Sequence, residues 1–331
     1  MNASNFRVSI IVSNRNGEKL LPRLFDSLDV QENFNGEYEI IVVDDASTDA
    51  SCELVLKYNK KTRLIRNERC KGPAAVKNTG AKKAKYEWLL FVDNDVFLHG
   101  KCLQVLGAAV IRNHTVCLQP KIMFADNPSV INSAGGIINC SGYARDRGIF
   151  EKDNGQYMEE ESVAFASSAA MLIKRSRFFK LGGFDESYWY GYEDADLGYR
   201  LYANGGKINY IPDAVCFHNM SATFGRESLR KKILFERNRM LLAVKNFQLS
   251  TLLKNIFSGF TLKRYISLFA QADVRNKFLL VFAGIISVCG FIFIFPFVII
   301  KRLMRENVRQ ISDKEFFDFF REKDAINCAR T

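Results

Sequence analysis

Apolar positions in the first 220 residues fall into short runs separated by amphipathic stretches. RVSIIVS (7–13) is β-branched and apolar on both faces, the pattern of a strand buried in a parallel sheet. NGEKLLPRLFDSL follows, with Leu20, Leu21, Leu24, Phe25 and Leu28 at helical spacing. EIIVVD (39–44) predicts a second strand, residues 51–58 a short helix and RLIRN a third strand. Residues 74–84 predict a helix and EWLLFVD (87–93) a fourth strand. This alternation predicts an α/β fold, a doubly wound, mostly parallel sheet with right-handed crossovers. Ligands of such sheets bind at the carboxyl ends of the strands, so the polar residues closing each strand are the candidates for chemistry.

After Met123 the pattern loosens. Residues 125–161 are rich in Gly, Asn and charge and read as loops or a small excursion. Order returns with VAFASSAAMLIKR, then GGFDE, then a polar helix from about Glu193 to Asn204. KINYIPDAVCFH reads as two short strands, and residues 227–247 as a basic helix. No internal repeat is present.

The formal net charge is +11, all of it from the last third of the chain. Residues 1–220 carry 27 Lys+Arg and 27 Asp+Glu, and residues 221–331 carry 20 and 9. A basic last third behind a neutral remainder calls for an anionic partner, either nucleic acid or a membrane face. FLLVFAGIISVCGFIFIFPFVII (278–300) is 23 residues without charge, with Arg275 and Lys277 before it and Lys301, Arg302 and Arg305 after it. At ~1.5 Å per residue a helix of that length crosses the ~30 Å hydrocarbon layer. A buried soluble helix seldom runs so long without a polar face, so an anionic membrane surface is the expected partner and no nucleic acid is. Basic residues at both ends leave the orientation open, and Pro296 leaves a re-entrant or interfacial helix open beside a full span. Residues 1–6 carry no signal-peptide pattern. The eight cysteines include no C-x-x-C pair, which speaks for free thiols and against a zinc ribbon or dithiol motif.

Three acidic clusters fall where such a sheet places its ligands. Asp44-Asp45 closes the second strand, and Asp93-Asn94-Asp95 closes the fourth. Glu193-Asp194, with Asp196, opens a helix after Tyr188-Trp189-Tyr190. Carboxylates one residue apart can share a hard divalent cation and leave room for phosphate oxygens. An Asp after a strand also forms turns, and an Asp at a helix start suits the helix dipole, so each cluster alone has a structural reading.

The order of these pieces resembles the family 2 glycosyltransferases. The matching segments are VSIIVSNRN (8–16), IIVVDDASTDAS (40–51), GPAAVKNTGAKKAKYEWLLFVDND (72–95), ASSAAMLIKRSRFFKLGGFDE (166–186), GYEDADLGYRL (191–201), IPDAVCFHNMSATFG (211–225) and ERNRMLLAVKN (236–246). The later segments, with RENVRQISDKEFFDFF (305–320), are most similar to the rhamnosyltransferase-like branch. The resemblance implies a GT-A, nucleotide-diphospho-sugar transferase fold over residues 1–247. An interfacial linker (248–277), the hydrophobic helix (278–300) and a basic tail (301–331) would follow.

It also implies roles. Ser13, Asp44 and Asp45 match nucleotide-binding positions, Lys77 and Asn78 lie where the family carries Arg-Asn near the nucleotide, and Asp93 matches the first carboxylate of the D-x-D motif. Asp95 matches the metal ligand, Mn²⁺ or Mg²⁺, and His218 a position that in some members also binds the metal; a hydrogen-bonded structural His is its other reading. Asp194 matches the general base, with Trp189 and Glu193 on the acceptor side. The implied reaction moves a sugar, with inversion, from a UDP- or dTDP-type donor to a glycan or lipid-linked hydroxyl in surface polysaccharide or glycoconjugate synthesis. It would take place at the cytosolic face of the cell membrane. Two alternatives stand beside it: a nucleotidyltransferase, for which SNRNGEKLLPR is poor in Gly, and a non-catalytic membrane scaffold, which would not need Asp95 and Asp194.

Overall fold

Arg7–Asn14 (β1) pairs in parallel with Glu37–Asp44 (β2) on one side and Trp88–Asp93 (β4) on the other, and Thr62–Arg66 (β3) extends the sheet beyond β2. A computed structural model describes residues 6–32, 34–58, 62–113, 115–220, 229–257, 300–303 and 309–320. Alternate residues of the central strands enter two separate cores. Val8, Ile10 and Val12 pack beneath Leu21–Asp29 (α1) and Ser51–Tyr58 (α2). Ile11, Ile41 and Val43 pack with Pro73–Lys83 (α3). Burial on both faces is why these strands read as continuous apolar runs.

Gly80 sets the closest approach of α3 to the sheet. A Cβ there would lie 2.4 Å from Cγ2 of Ile11, a fully buried residue. Gly80→Val should therefore lose ~1–3 kcal/mol through overpacking, read as a lower urea midpoint. An unchanged midpoint would mean that α3 rides freely over β1.

Val96–Leu98 (β5) leads to Cys102–Asn113 (α4) and Cys117–Phe124 (β6). Residues 125–161, expected as loops, hold Ile131–Ser133 (β7) and a hairpin of Gly136–Ile138 (β8) with Ala144–Asp146 (β9). Glu161–Ser162 (β10) precedes Ala170–Lys174 (β11), which runs antiparallel between β4 and β6. The sheet is thus mixed where a mostly parallel one was expected. With Ile208–His218 as β12, its order is β10-β12-β6-β11-β4-β1-β2-β3.

Arg175–Lys180 (α5) and Glu193–Ala203 (α6) follow. Ile208–His218 (β12) is one strand, not two, because the residues around Pro212 bulge out between Ile211 and Val215 while pairing with β6 resumes. Leu229–Asn246 (α7) and Leu249–Phe257 (α8) complete this body. A last helix, residues 313–320 (α9), lays Phe316, Phe317 and Phe320 against Tyr199, Tyr202 and Phe247, with ring centroids 4.8–5.6 Å apart. Part of the expected basic tail is therefore packed onto α6. No helix among the described residues is long and apolar enough to cross a membrane. The uncharged segment, except Ile300, and most of the expected linker lie outside the described residues, as do residues 221–225.

Candidate active site

Strand register carries two of the acidic clusters to one edge. Parallel pairing sets Ser13 beside Asp93 and Asn14 beside Asp44. Ser13 Oγ donates to Asp93 Oδ1, and Asn94 Nδ2 donates to Asn14 Oδ1 at 2.8 Å. A cleft of about 580 Å³ opens there, within the size range of organic-ligand sites. The ends of β1 and β4 line it with Ser13, Arg15, Asp93 and Asp95. Asp45, Cys70, Gly72 and Pro73 enter from the segments after β2 and before α3. Trp189 and Tyr190 come from the loop before α6, and His218 and Met220 from the end of β12. Gly72 has φ +86, and a Cβ there would meet the Trp189 carbonyl at 3.1 Å, so glycine permits this loop contact.

A larger cavity of about 790 Å³ lies at the opposite end of the strands, among Glu37, Glu39, Arg63 and Lys85. Its acids are engaged locally: Tyr86 donates to Glu37, and Ser9 and the Lys85 N–H donate to Glu39. The cleft at the carboxyl ends of the strands is the one the topology favours.

The two adjacent aspartates after β2 part company. Asp45 lines the cleft and accepts from Asn67, Cys70 and the backbone N–H groups of Lys71 and Gly72. Burial pushes its carboxyl up, but those donors outweigh burial and hold it below the usual carboxylate range. Asp44, expected at the nucleotide, is fully buried and accepts from Asn14 Nδ2 at 2.8 Å and from the N–H and hydroxyl of Ser47. It fixes the turn, the structural reading of that position.

Asp95 and His218 face one another across 3.4 Å, Oδ1 to Nε2. Asn132 Oδ1 lies 3.1 Å from His218 Nδ1 and accepts from it in the tautomer with the proton on Nδ1. Neutral imidazole then points its Nε2 lone pair at a carboxylate oxygen, an arrangement that needs a proton or a cation between them. Burial pushes the imidazole down, and Asp95, with Asp93 and Asp146 behind it, more than reverses this and raises it. Among the described residues no three His, Cys, Asp or Glu converge on one point. A hard cation would fit here with two protein ligands, leaving its other positions to ligand oxygens and water.

Behind the cleft runs a buried polar chain. Lys77 Nζ lies 3.0 Å from Asp93 Oδ1 and 2.8 Å from Ser168 Oγ. Ser168 Oγ donates to Glu193 Oε1 at 2.9 Å, and its N–H donates to Asp194 Oδ2 at 3.2 Å. Lys77 is 1% exposed and does not line the cleft, so it serves as the buried counter-ion of Asp93 where sequence placed it at the nucleotide. Asn78, placed there too, instead holds the GGFDE turn: it donates to the Phe184 carbonyl and Glu186 and accepts the Phe184 N–H. Glu193 keeps one oxygen, Oε2, buried without a hydrogen-bond partner among the described residues.

Asp194 sits in the first turn of α6 and also accepts the Ala195 N–H. Burial, then Glu193, then Asp146 push its carboxyl up to about 8. Asp146, which sequence reading missed, arrives from the β8–β9 hairpin, and burial pushes it up to about 6. Ser168 was missed as well; it lies inside the matched ASSAAML segment, but nothing in its spacing marks it.

Residues 9–181 match the model of glycosyl transferase family 2, and residues 158–221 match that of the N-terminal domain of galactosyltransferase. The chain is 34% identical over 119 residues to the Staphylococcus aureus poly(ribitol-phosphate) beta-N-acetylglucosaminyltransferase TarS, a match covering 35% of this chain and 21% of that protein. It is 38% identical over 101 residues to the Bacillus spizizenii poly(ribitol-phosphate) beta-glucosyltransferase, covering 29% and 16%. An uncharacterized glycosyltransferase of Haemophilus influenzae is 31% identical over 181 residues, covering 53% and 55%. These two poly(ribitol-phosphate) transferases are thus matched over only 16–21% of their length. The crystal structure of S. aureus TarS 1–349 in complex with UDP-GlcNAc superposes with TM-score 0.56 at 20% identity, covering 84% of this chain and 79% of that one. GalNAc-T7 with UDP, GalNAc and Mn²⁺ superposes with TM-score 0.56 at 19% identity, covering 72% and 48%. These likenesses establish the GT-A fold.

Proposed function

The chain belongs to glycosyl transferase family 2, and from that premise we propose that it transfers a sugar, with inversion, from a UDP- or dTDP-type donor to an acceptor hydroxyl. The observation that carries this is the juxtaposition of the Asp95–His218 pair at the cleft with a recessed, raised carboxyl at Asp194. Asp45, Ser13 and Asp93 would hold the nucleoside end, and Trp189 offers a flat face to a sugar ring. A divalent cation, Mn²⁺ or Mg²⁺, on Asp95 and His218 would neutralise the departing diphosphate. Asp194 takes the acceptor proton, and a carboxyl raised to about 8 holds that proton more strongly than an ordinary carboxylate would. The relatives named for poly(ribitol-phosphate) support a cell-surface polymer as the acceptor class. The basic last third and the uncharged segment support a catalytic domain on the cytosolic face of a membrane, near a lipid-linked acceptor.

A panel of nucleotide-sugars assayed for nucleotide release tests the reading. Release should require Mn²⁺ or Mg²⁺ and stop in EDTA. Asp95→Ala should lose metal-dependent donor binding. Full turnover in EDTA would remove the cation from the mechanism, and an inert protein with every donor would leave the scaffold reading.

A further inference from the structure

The end of α7 and residues 301–302 meet at one corner of the catalytic body. α7 ends at Asn246, and α8 begins at Leu249. After the undescribed stretch, Arg302 donates to the Val244 and Phe247 carbonyls at 2.8 and 2.7 Å, satisfying groups at the carboxyl end of α7. Lys301 pairs with Asp185 at 2.5 Å, an acid that also holds the buried Lys245 at 3.1 Å. Farther on, Arg309 bonds Asp313 and the Tyr199 hydroxyl, the Gln310 N–H donates to the Ala203 carbonyl, and Phe316 sits in the core. The junction is a built attachment of ion pairs, a helix-end cap and aromatic packing.

The same corner exposes apolar side chains. Leu249 and Leu253 on α8 and Ile300 and Leu303 beside Arg302 stand 43–62% exposed, with Lys254 exposed among them. Between these two pairs the sequence holds the uncharged run 278–300.

We infer that this corner docks on one leaflet of an anionic bilayer, with Ile300 and α9 on the same side of it as α6. The inference rests on the membrane reading above and deepens it. A single crossing would place Ile300 and α9 on the opposite face from α6, and Arg302 and Phe316 could then not reach α7 and Tyr199. Leucines beside lysines suit an interface of acyl chains and anionic headgroups.

The test uses the full chain with a C-terminal epitope tag in sealed membrane vesicles of both orientations. The protein should stay with membranes in high salt. In inverted vesicles protease should remove the tag while an impermeant maleimide labels Cys140, an exposed thiol of the catalytic domain. In right-side-out vesicles both should be protected. A tag and Cys140 reporting opposite faces would overturn the inference while leaving the membrane reading intact. Recovery in the soluble fraction would overturn both, and donor turnover in the same preparation would report separately on the catalytic reading. Leu253→Glu with Leu303→Glu should weaken binding to phosphatidylglycerol vesicles at least about tenfold, with turnover of soluble donor unchanged. Unchanged vesicle binding, or a shift to monomer from a dimer, would assign this corner to something other than lipid.

Discussion

Asp194→Asn should lower turnover by about 10²–10⁴-fold and leave donor affinity nearly unchanged. The amide keeps the shape of the carboxyl and the bonds from Ser168 N and Ala195 N can persist, but it cannot take a proton. The pH dependence gives a second readout. Burial, Glu193 and Asp146 raise this carboxyl to about 8, so in the free enzyme the charged form gains ground only as pH approaches that value. With Asp194 as the proposed base, which must be ionised, kcat/KM should climb with pH through the neutral range and level off above about 8; Asp194→Asn should flatten that limb. The sign for stability is opposite. An unfolded chain releases this proton near pH 4, whereas the native protein keeps it to about 8. Native stability from this group is thus lost as pH rises between those values, and Asp194→Asn should hold up better than the parent in urea at pH 9. A variant with weakened donor binding and full turnover would assign Asp194 to the donor instead.

The strands that position this chemistry were legible because their burial leaves a direct trace. β1, β2 and β4 are apolar on both faces, and the polar residue that ends each run marks the sheet edge. Parallel register then brings Ser13, Asp93 and Asn14 together with no further information. Two kinds of feature left no such trace. Depth below the cleft is one: Lys77 and Asn78 lie near the nucleotide by motif, yet α3 turns both inward to bind Asp93 and the GGFDE turn. Long-range docking of short elements is the other. Asp146 and Asn132 reach the site on strands of three residues, too short for any periodicity. The bulge at Pro212 made one strand read as two, since proline ordinarily breaks a ladder. α9 looked like tail because its aromatics find partners on α6 and at Phe247 just after α7, more than 60 residues away in sequence.

Lys77→Met should cost about 3–5 kcal/mol of stability, the penalty for stripping the partner from a buried ion pair. The ammonium is 1% exposed, and burial alone would drive it neutral; Asp93, then Glu193, hold it charged and raise its affinity for the proton. Without it, Asp93 can still turn toward solvent, because its side chain is 29% exposed. Glu193 has no such escape: it is 4% exposed, one oxygen is already without a hydrogen-bond partner among the described residues, and the other relies on Ser168, which itself receives the Lys77 ammonium. The loss therefore falls mainly on the start of α6, where Asp194 sits. Methionine fills the aliphatic volume, so the change isolates charge from packing. Urea melts at pH 7 should show the drop. Lys77→Arg, which keeps the charge, should recover part of the stability. A methionine variant as stable as the parent at pH 7 would show that Asp93 and Glu193 do not depend on Lys77, and that β4 and α6 are not linked through it.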